Sequence, residues 1–594
     1  MKSVSLALLV AASLAAQPIR LTEHGRCLTR VIRGSGDDYA AGKIAAELRK
    51  YTPSVPFTTV AADAPVSIYV GTVSSNPALA AMAATLGWKA DIEKLPPEGY
   101  LIRTGQSQRG TVIVLAGGDR TGAIYAASDF KNYCLLPSVS GVETSTLNRV
   151  EIPRMKYRWF WNWDDRTNWD LLDHDNVYVP TSELPRSDSV RAWFKRPAAY
   201  LNNMKLVVDY MSEHKLNGLV LWGFLRDNHG GIPAALELCR YANERGVKII
   251  PGAGIDRHYG GFYHEGNHEF NLETRAQKFP DLRSLNKDGK PEPRTLCLEL
   301  PENREWLRQG FRWLYSTFPI GGVNVEFAEH STCYNPECVA ARTKQIGDEP
   351  DFSKDLARIM PFVMREIHAV APDTWASYVT YGGFTRDMAS RPPLHVRVAP
   401  DYAICQWTLT NMLTDLVPPR WRRTVGALEW TPGLFPSPWP EGSRPPGRHS
   451  IGYLHWNAFY TQNQKGFFVD AYREAARKAY RHGFEGLDTY GEESPEFPNI
   501  ELSYLAFSEF TFNPEMTEAQ FLENRVAPLY GGKEAGLLAL EIARRVGPVR
   551  AGESPDHLNE ILELAYRGRR ISAAYASARW DRMIDYLGRI LAMN

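Results

Sequence analysis

Between residues 154 and 514 the chain repeats one pattern. A short run of apolar and aromatic residues is followed by a polar or aromatic loop. Then comes a longer stretch with apolar residues three and four apart. Eight such short runs occur: Tyr157–Phe160, Gly218–Trp222, Lys248–Pro251, Gly322–Phe327, Trp375–Thr380, Tyr402–Trp407, Ile451–Trp456 and Gly486–Tyr490. Brief apolar runs read as buried strands, and longer periodic stretches read as amphipathic helices. Helices are expected over Leu201–His214, Ile232–Arg245, Pro301–Phe318, Ser353–Val370 and Asp470–His482. Strands alternating with helices in this number predict a (β/α)8 barrel. The Pro- and Trp-rich stretch Pro418–Ser450 has room for one further strand at Val425–Trp430.

The flanks read differently. Residues 17–153 alternate α and β on a smaller scale. A helix is expected over Asp38–Tyr51, with Ala41, Ile44, Ala45 and Leu48 on one face. Strands are expected at Val66–Gly71, Gly99–Ile102 and Thr111–Gly118, then a helix over Gly122–Tyr133. From residue 515 the spacing is helical to the end, through Leu540–Val546, Leu558–Ala576 and Trp580–Leu591. The expected fold class is α/β: a small α/β domain (17–153), a catalytic barrel (154–514) and a helical C-terminal domain (515–594).

Residues 1–16 lie outside that scheme. Lys2 precedes a largely apolar run, Val4–Ala16, which breaks at Gln17-Pro18. Ser13 and Ala15 satisfy the small-residue rule for cleavage, so a secretory signal peptide cut near Ala15 or Ala16 is expected. Its apolar run is too short to span a bilayer, and no later run reaches spanning length. The expected product is exported, periplasmic or extracellular, with no membrane span.

Composition narrows the partners. Lys+Arg and Asp+Glu are both 68, so the formal net charge is zero, and a nucleic-acid partner is not expected. Trp and Tyr number 16 and 28; their faces stack on sugar rings, although a large core also uses them. Composition leaves the oligomeric state open. The seven cysteines, Cys27, Cys134, Cys239, Cys297, Cys333, Cys338 and Cys405, are odd in number. Cys333 and Cys338 are close enough for a loop disulfide or a pair of free thiols. A zinc site would need two more nearby ligands, and only His330 offers itself. No metal and no cofactor is expected.

Barrel enzymes carry their chemistry at the C-terminal ends of the strands. Glu326 ends the apolar run Val323-Asn324-Val325, where desolvation should favour its protonated, acid form. Glycoside cleavage needs such an acid and usually a second carboxylate. For the second, Glu492 after the eighth strand leads, with Glu429 and Asp227 as rivals. Candidate substrate contacts are Arg226, Asp227, His229, His330, Tyr381, Trp407, His455, Trp456 and Tyr490. The expected substrate is a carbohydrate. Two other readings remain open: a non-catalytic glycan-binding barrel, and a polysaccharide lyase or metal-dependent hydrolase built from His229, His330 and Tyr381.

Three stretches carry a family resemblance. Gly99–Ile102, Val112–Gly117 and Arg120–Ala126 resemble the small domain ahead of the barrel in α-glucuronidases of glycoside hydrolase family 67 and hexosaminidases of families 20 and 84. Val323-Asn324-Val325-Glu326, followed by Cys333 and Cys338, resembles the group that includes the family 163 N-acetylglucosaminidases. Phe510–Pro514, with Thr517 and Phe521-Leu522, is similar to the helical start after the barrel in several of these families. The resemblance implies an exo-acting glycosidase with its acid at Glu326, acting on a terminal β-N-acetylhexosamine or uronic acid. Family 20 enzymes place an Asp before the acid, whereas Val325 stands here, which puts acetamido-assisted chemistry in doubt. A uronic acid would want a cation such as Arg226.

Overall fold

The computed structural model describes residues 18–594, apart from 61–63, 173–176, 181–190, 195, 256–260, 265–266, 327–331, 345–350, 384–391, 410–443, 446–448, 455–465, 548–553 and 593–594. The expected leader, residues 1–16, lies outside these. The chain divides into two compact units, Met1–Ile152 and Pro153–Asn594.

The first unit is built on a six-stranded mixed sheet. Its order is Asn148–Glu151, Tyr100–Ser107, Gly110–Gly117, Val66–Gly71, Thr29–Arg33, Phe57–Thr58. Every residue of Val66–Gly71 is buried, which explains its uninterrupted apolar run. The helices Asp38–Leu48 and Arg120–Asp129 lie where periodicity predicts them. Asp119 caps the latter by accepting the Gly122 amide at 2.8 Å.

The second unit is a closed barrel of eight parallel strands, joined in sequence order around the ring. They are β1 (Tyr157–Trp163), β2 (Gly218–Trp222), β3 (Lys248–Gly254), β4 (Gly322–Glu326), β5 (Trp375–Gly383), β6 (Ile404–Thr408), β7 (His449–Leu454) and β8 (Gly486–Tyr490). All eight runs read from the sequence are barrel strands. The extra strand weighed at Val425–Trp430 falls outside the described residues. Helices α1 (Pro197–Glu213), α2 (Gly231–Glu244), α3 (Pro301–Thr317), α4 (Asp351–Val370) and α5 (Val469–Arg481) return the chain between strands. Helix α6 (Pro498–Phe512) follows β8, and Lys533–Val546, Pro555–Ile571 and Ser577–Ala592 complete the helical C-terminal region. No described helix is long and apolar enough to cross a membrane.

Four strands, β1, β3, β5 and β6, run past their expected ends, and for β1 this matters for the site. The alternation Tyr157, Trp159, Trp161, Trp163 continues to the end of β1, three residues beyond the expected Phe160. These four residues join Val220, Trp222, Ile250, Ile404, Ile451, Tyr453 and Tyr490 in one buried cluster that fills the barrel. Glycine accommodates the indoles. A Cβ on Gly252 of β3 would stand 2.3 Å from the Trp222 ring.

Candidate active site at the barrel mouth

The inner face of the barrel carries a polar layer beneath the mouth. Asn324 Nδ2 of β4 donates to Ser377 Oγ of β5 and to Gln406 Oε1 of β6, each at 2.9 Å. Gln406 Nε2 in turn donates to Asp488 Oδ2 of β8. The bonds from Asn324 to Gln406 and from Gln406 to Asp488 reach across non-adjacent strands, so all three residues point inward. Burial pushes the Asp488 carboxyl well above its usual range, which the Gln406 hydrogen bond only partly opposes.

Glu326 stands two residues beyond Asn324, on the same inner face and at the last position of β4. It is 3% exposed. It pairs with Gly254 of β3 and with Val379 of β5. The far side of the mouth is aromatic. Trp161 meets Tyr490 edge-on at 5.3 Å, and the Tyr453 hydroxyl donates to the Tyr490 hydroxyl at 2.7 Å.

A charged cluster built on strands β1 and β2 stands beside this wall. Asp164 follows β1 and is fully buried. Arg226 Nε lies 2.5 Å from its Oδ2, and His229 Nδ1 lies 3.0 Å from the same oxygen. Burial alone would raise the Asp164 carboxyl. The Arg226 guanidinium, with His229 and His264 behind it, outweighs burial and holds the group well below the usual carboxylate range. Tyr200 stacks on the His229 ring at 4.2 Å and fixes its plane. His264, in the connection after β3, meets Trp222 edge-on at 6.2 Å. Burial, aided by Arg226, presses its imidazole down to about 3, so it is neutral. Gly223, with φ +81°, makes the cluster possible: a Cβ there would fall 2.0 Å from the Asp164 carboxyl carbon.

Arg226, Asp227 and His229 therefore gather as expected in one loop, where Asp227 Oδ1 accepts the Tyr263 hydroxyl at 2.6 Å. Tyr490 faces the barrel interior. Glu492 is fully buried across the ring from Glu326; its Oε1 accepts the Trp163 amide at 3.2 Å, which seals the seam between β8 and β1. Trp407 corrects the sequence reading. It was expected as a substrate contact, but Gln406 takes the inner position, so period-two alternation turns the next residue outward. Its indole instead donates to Ser450 Oγ at 3.2 Å, on the outer side of β6 and β7. Tyr381 lies on β5, with its side chain outside the described residues, as are His330, Glu429, His455 and Trp456.

Asp164 and His264 were not among the sequence candidates. The aromatic alternation, followed past Phe160, would have ended β1 at Trp163 and exposed Asp164 as a strand-end acid. No comparable signal marks His264, which reaches the cluster from a loop. Among the described residues, the mouth's histidines and carboxylates do not converge as a metal-ligand set; Cys297, Cys333 and Cys338 do.

Fold and site together define a (β/α)8-barrel protein with a small α/β unit ahead of the barrel and helices after it. No family model and no curated protein matches the sequence. Solved structures do match the fold. One is the family 20 exo-β-N-acetylglucosaminidase of Vibrio harveyi, at TM-score 0.50 and 10% identity over 86% of this chain and 73% of that one. CpGH84B, of family 84, gives 0.51 and 11% over 95% and 86%. A family 138 enzyme targeting pectin rhamnogalacturonan II gives 0.50 and 12% over 95% and 68%. The likeness in fold expected for families 20 and 84 is thus found.

Proposed function

We propose that the protein is an exported, exo-acting glycoside hydrolase that removes a terminal sugar, with Glu326 as the acid that protonates the leaving oxygen. The observation that carries this reading is the position of Glu326. It is an almost wholly enclosed carboxyl on the inner face of β4, at the end of a barrel where chemistry is concentrated. Its surroundings support it. Aromatic rings stand opposite, and an Asp164–Arg226–His229 cluster borders the mouth. Enclosure of this kind favours a carboxylic acid able to donate a proton.

Between the two expected sugar classes, the cluster favours a β-N-acetylhexosamine. Arg226, the cation a uronic acid would need, already faces the buried Asp164 carboxylate. The second carboxylate follows by the same reasoning. Glu492 is tied to the Trp163 amide, which suits a residue that holds the mouth in shape. Asp164, kept ionised by its partners, suits electrostatic support of positive charge developing on the sugar.

The test is Glu326→Gln assayed on a panel of aryl glycosides. The variant should keep the wild-type circular dichroism and melting curve and lose about 10²–10⁴-fold in turnover. Wild-type-like hydrolysis by the variant would overturn the assignment. Absence of hydrolysis by the wild type on every aryl glycoside, with glycan binding retained in the variant, would favour a non-catalytic glycan-binding barrel.

A further inference from the structure

Cys297, Cys333 and Cys338 come together beside the barrel. Cys297 follows a hairpin of Arg283–Leu285 and Pro291–Leu296, in the connection between β3 and β4. Cys333 and Cys338 lie after β4, the second on the helix Pro336–Thr343. All three are buried, and no disulfide joins any cysteine of the chain. Their Sγ atoms all lie within 4.8 Å of one another, with Cys297 and Cys338 at 3.4 Å. The pair expected as a loop disulfide or free thiols thus acquires a third member, from a position the spacing did not offer.

The geometry decides between the uses of three such thiols. A disulfide joins two sulfurs at about 2.05 Å and leaves the third unused. Zinc holds thiolates at about 2.3 Å in a tetrahedron, which sets the sulfurs about 3.8 Å apart. The Cys297–Cys338 spacing of 3.4 Å lies close to that value, and no pair is farther apart than 4.8 Å. The surroundings are also those of a thiolate site. Arg342 Nη1 holds the Cys333 carbonyl at 2.7 Å and pairs with Asp355 at 2.7 Å. Arg358 joins Asp355 to Glu299, each at 2.7 Å, and completes a rigid frame around the cluster. Hydrogen-bonded partners behind a metal's ligands orient those ligands and tune their charge.

We infer that Cys297, Cys333 and Cys338 bind a thiophilic divalent cation, zinc above all, as a clip between the connection before β4 and the segment after it. Among the described residues no fourth ligand joins the three thiolates, which leaves the fourth tetrahedral position open to a water. Binding displaces the thiol protons into solvent, so affinity falls with falling pH. The clip would hold both sides of the strand that ends in Glu326, a role independent of what that residue does.

The experiment uses the full chain, purified under reductant without chelator, with zinc measured by elemental analysis after extensive dialysis. About one zinc per chain is expected, as is a sulfur-to-metal charge-transfer band when cobalt replaces it. The double variant Cys333→Ser/Cys338→Ser should lose the metal and melt at a lower temperature, while Cys27→Ser keeps both. Should the double variant fail to fold, the wild-type stoichiometry and cobalt spectrum stand as the test. Fully reduced wild type that takes up neither zinc nor cobalt would overturn the inference. So would a Cys297–Cys338 disulfide mapped in protein isolated without reductant.

Discussion

His264 makes the folded state sensitive to mild acid. In the unfolded chain a histidine takes its proton near pH 6.5, whereas this one takes it only near about 3. Between those values the unfolded chain binds the extra proton, so stability falls as pH falls, by up to about 1.4 kcal/mol per unit. His395, pressed to about 4 by burial, acts in the same direction from the ordinary histidine value down to about 4. Asp164 enters later. Its carboxyl is depressed in the fold, so its contribution is complete above the ordinary carboxylate range and is lost as pH falls through and below it. The urea midpoint should therefore decline from pH 6.5 to pH 5, before carboxylates titrate. His264→Gln should flatten that decline. A midpoint constant over this interval in the wild type would contradict the neutral, buried imidazoles.

The strands set the next scale, where Gly218 and Gly252 on the inner face are matched to the Trp159 and Trp222 rings. Gly252 has no room for a methyl group against the Trp222 indole, and Trp222 is itself fully buried among Trp161, Trp163 and His264. Gly252→Ala should cost about 1–3 kcal/mol by overpacking and shift the tryptophan emission. An unchanged melting temperature would show that the ring can move. This matching also explains what the sequence disclosed. Apolar runs between polar loops mark strands wherever both faces are covered, so all eight barrel strands were legible. The direction of a side chain was less so. Trp407 and Gln406 are neighbours in one run, and only the hydrogen bonds from Asn324 and to Asp488 reveal which faces inward. Glu326 was legible because it closes its run. Asp164 was missed because the first strand was expected to end at Phe160, three residues short of its end, and Cys297 meets Cys333 only through the folded connection, with 35 residues between them in sequence.

Across the second unit, the two ends of the barrel are specialised for different work. The mouth holds the strand-end acids, and the floor holds an ion triad without solvent. Lys215, just before β2, has its Nζ 2.5 Å from Glu509 Oε1 of α6. Arg525, from the helical segment beyond, places Nε 2.7 Å from the other carboxylate oxygen. All three side chains are fully buried. Arg158 of β1 adds a bond from Nε to the Lys215 carbonyl at 2.7 Å, so the triad ties two strands to the C-terminal helices. Buried charges gain little over apolar packing while complete, but removing one partner leaves the others uncompensated. Glu509→Gln keeps the volume and leaves two buried cations without the carboxylate that faces both. It should cost about 3–5 kcal/mol and lower the melting temperature. Because the bottom of a barrel serves stability, turnover per folded molecule should stay at the wild-type value. Loss of turnover at unchanged melting temperature would instead couple the floor to the mouth. Lys215→Met/Glu509→Leu/Arg525→Met, which removes all three charges together, should recover part of the stability lost in the single variant. That recovery would mark the cost as desolvated, unpaired charge rather than lost packing.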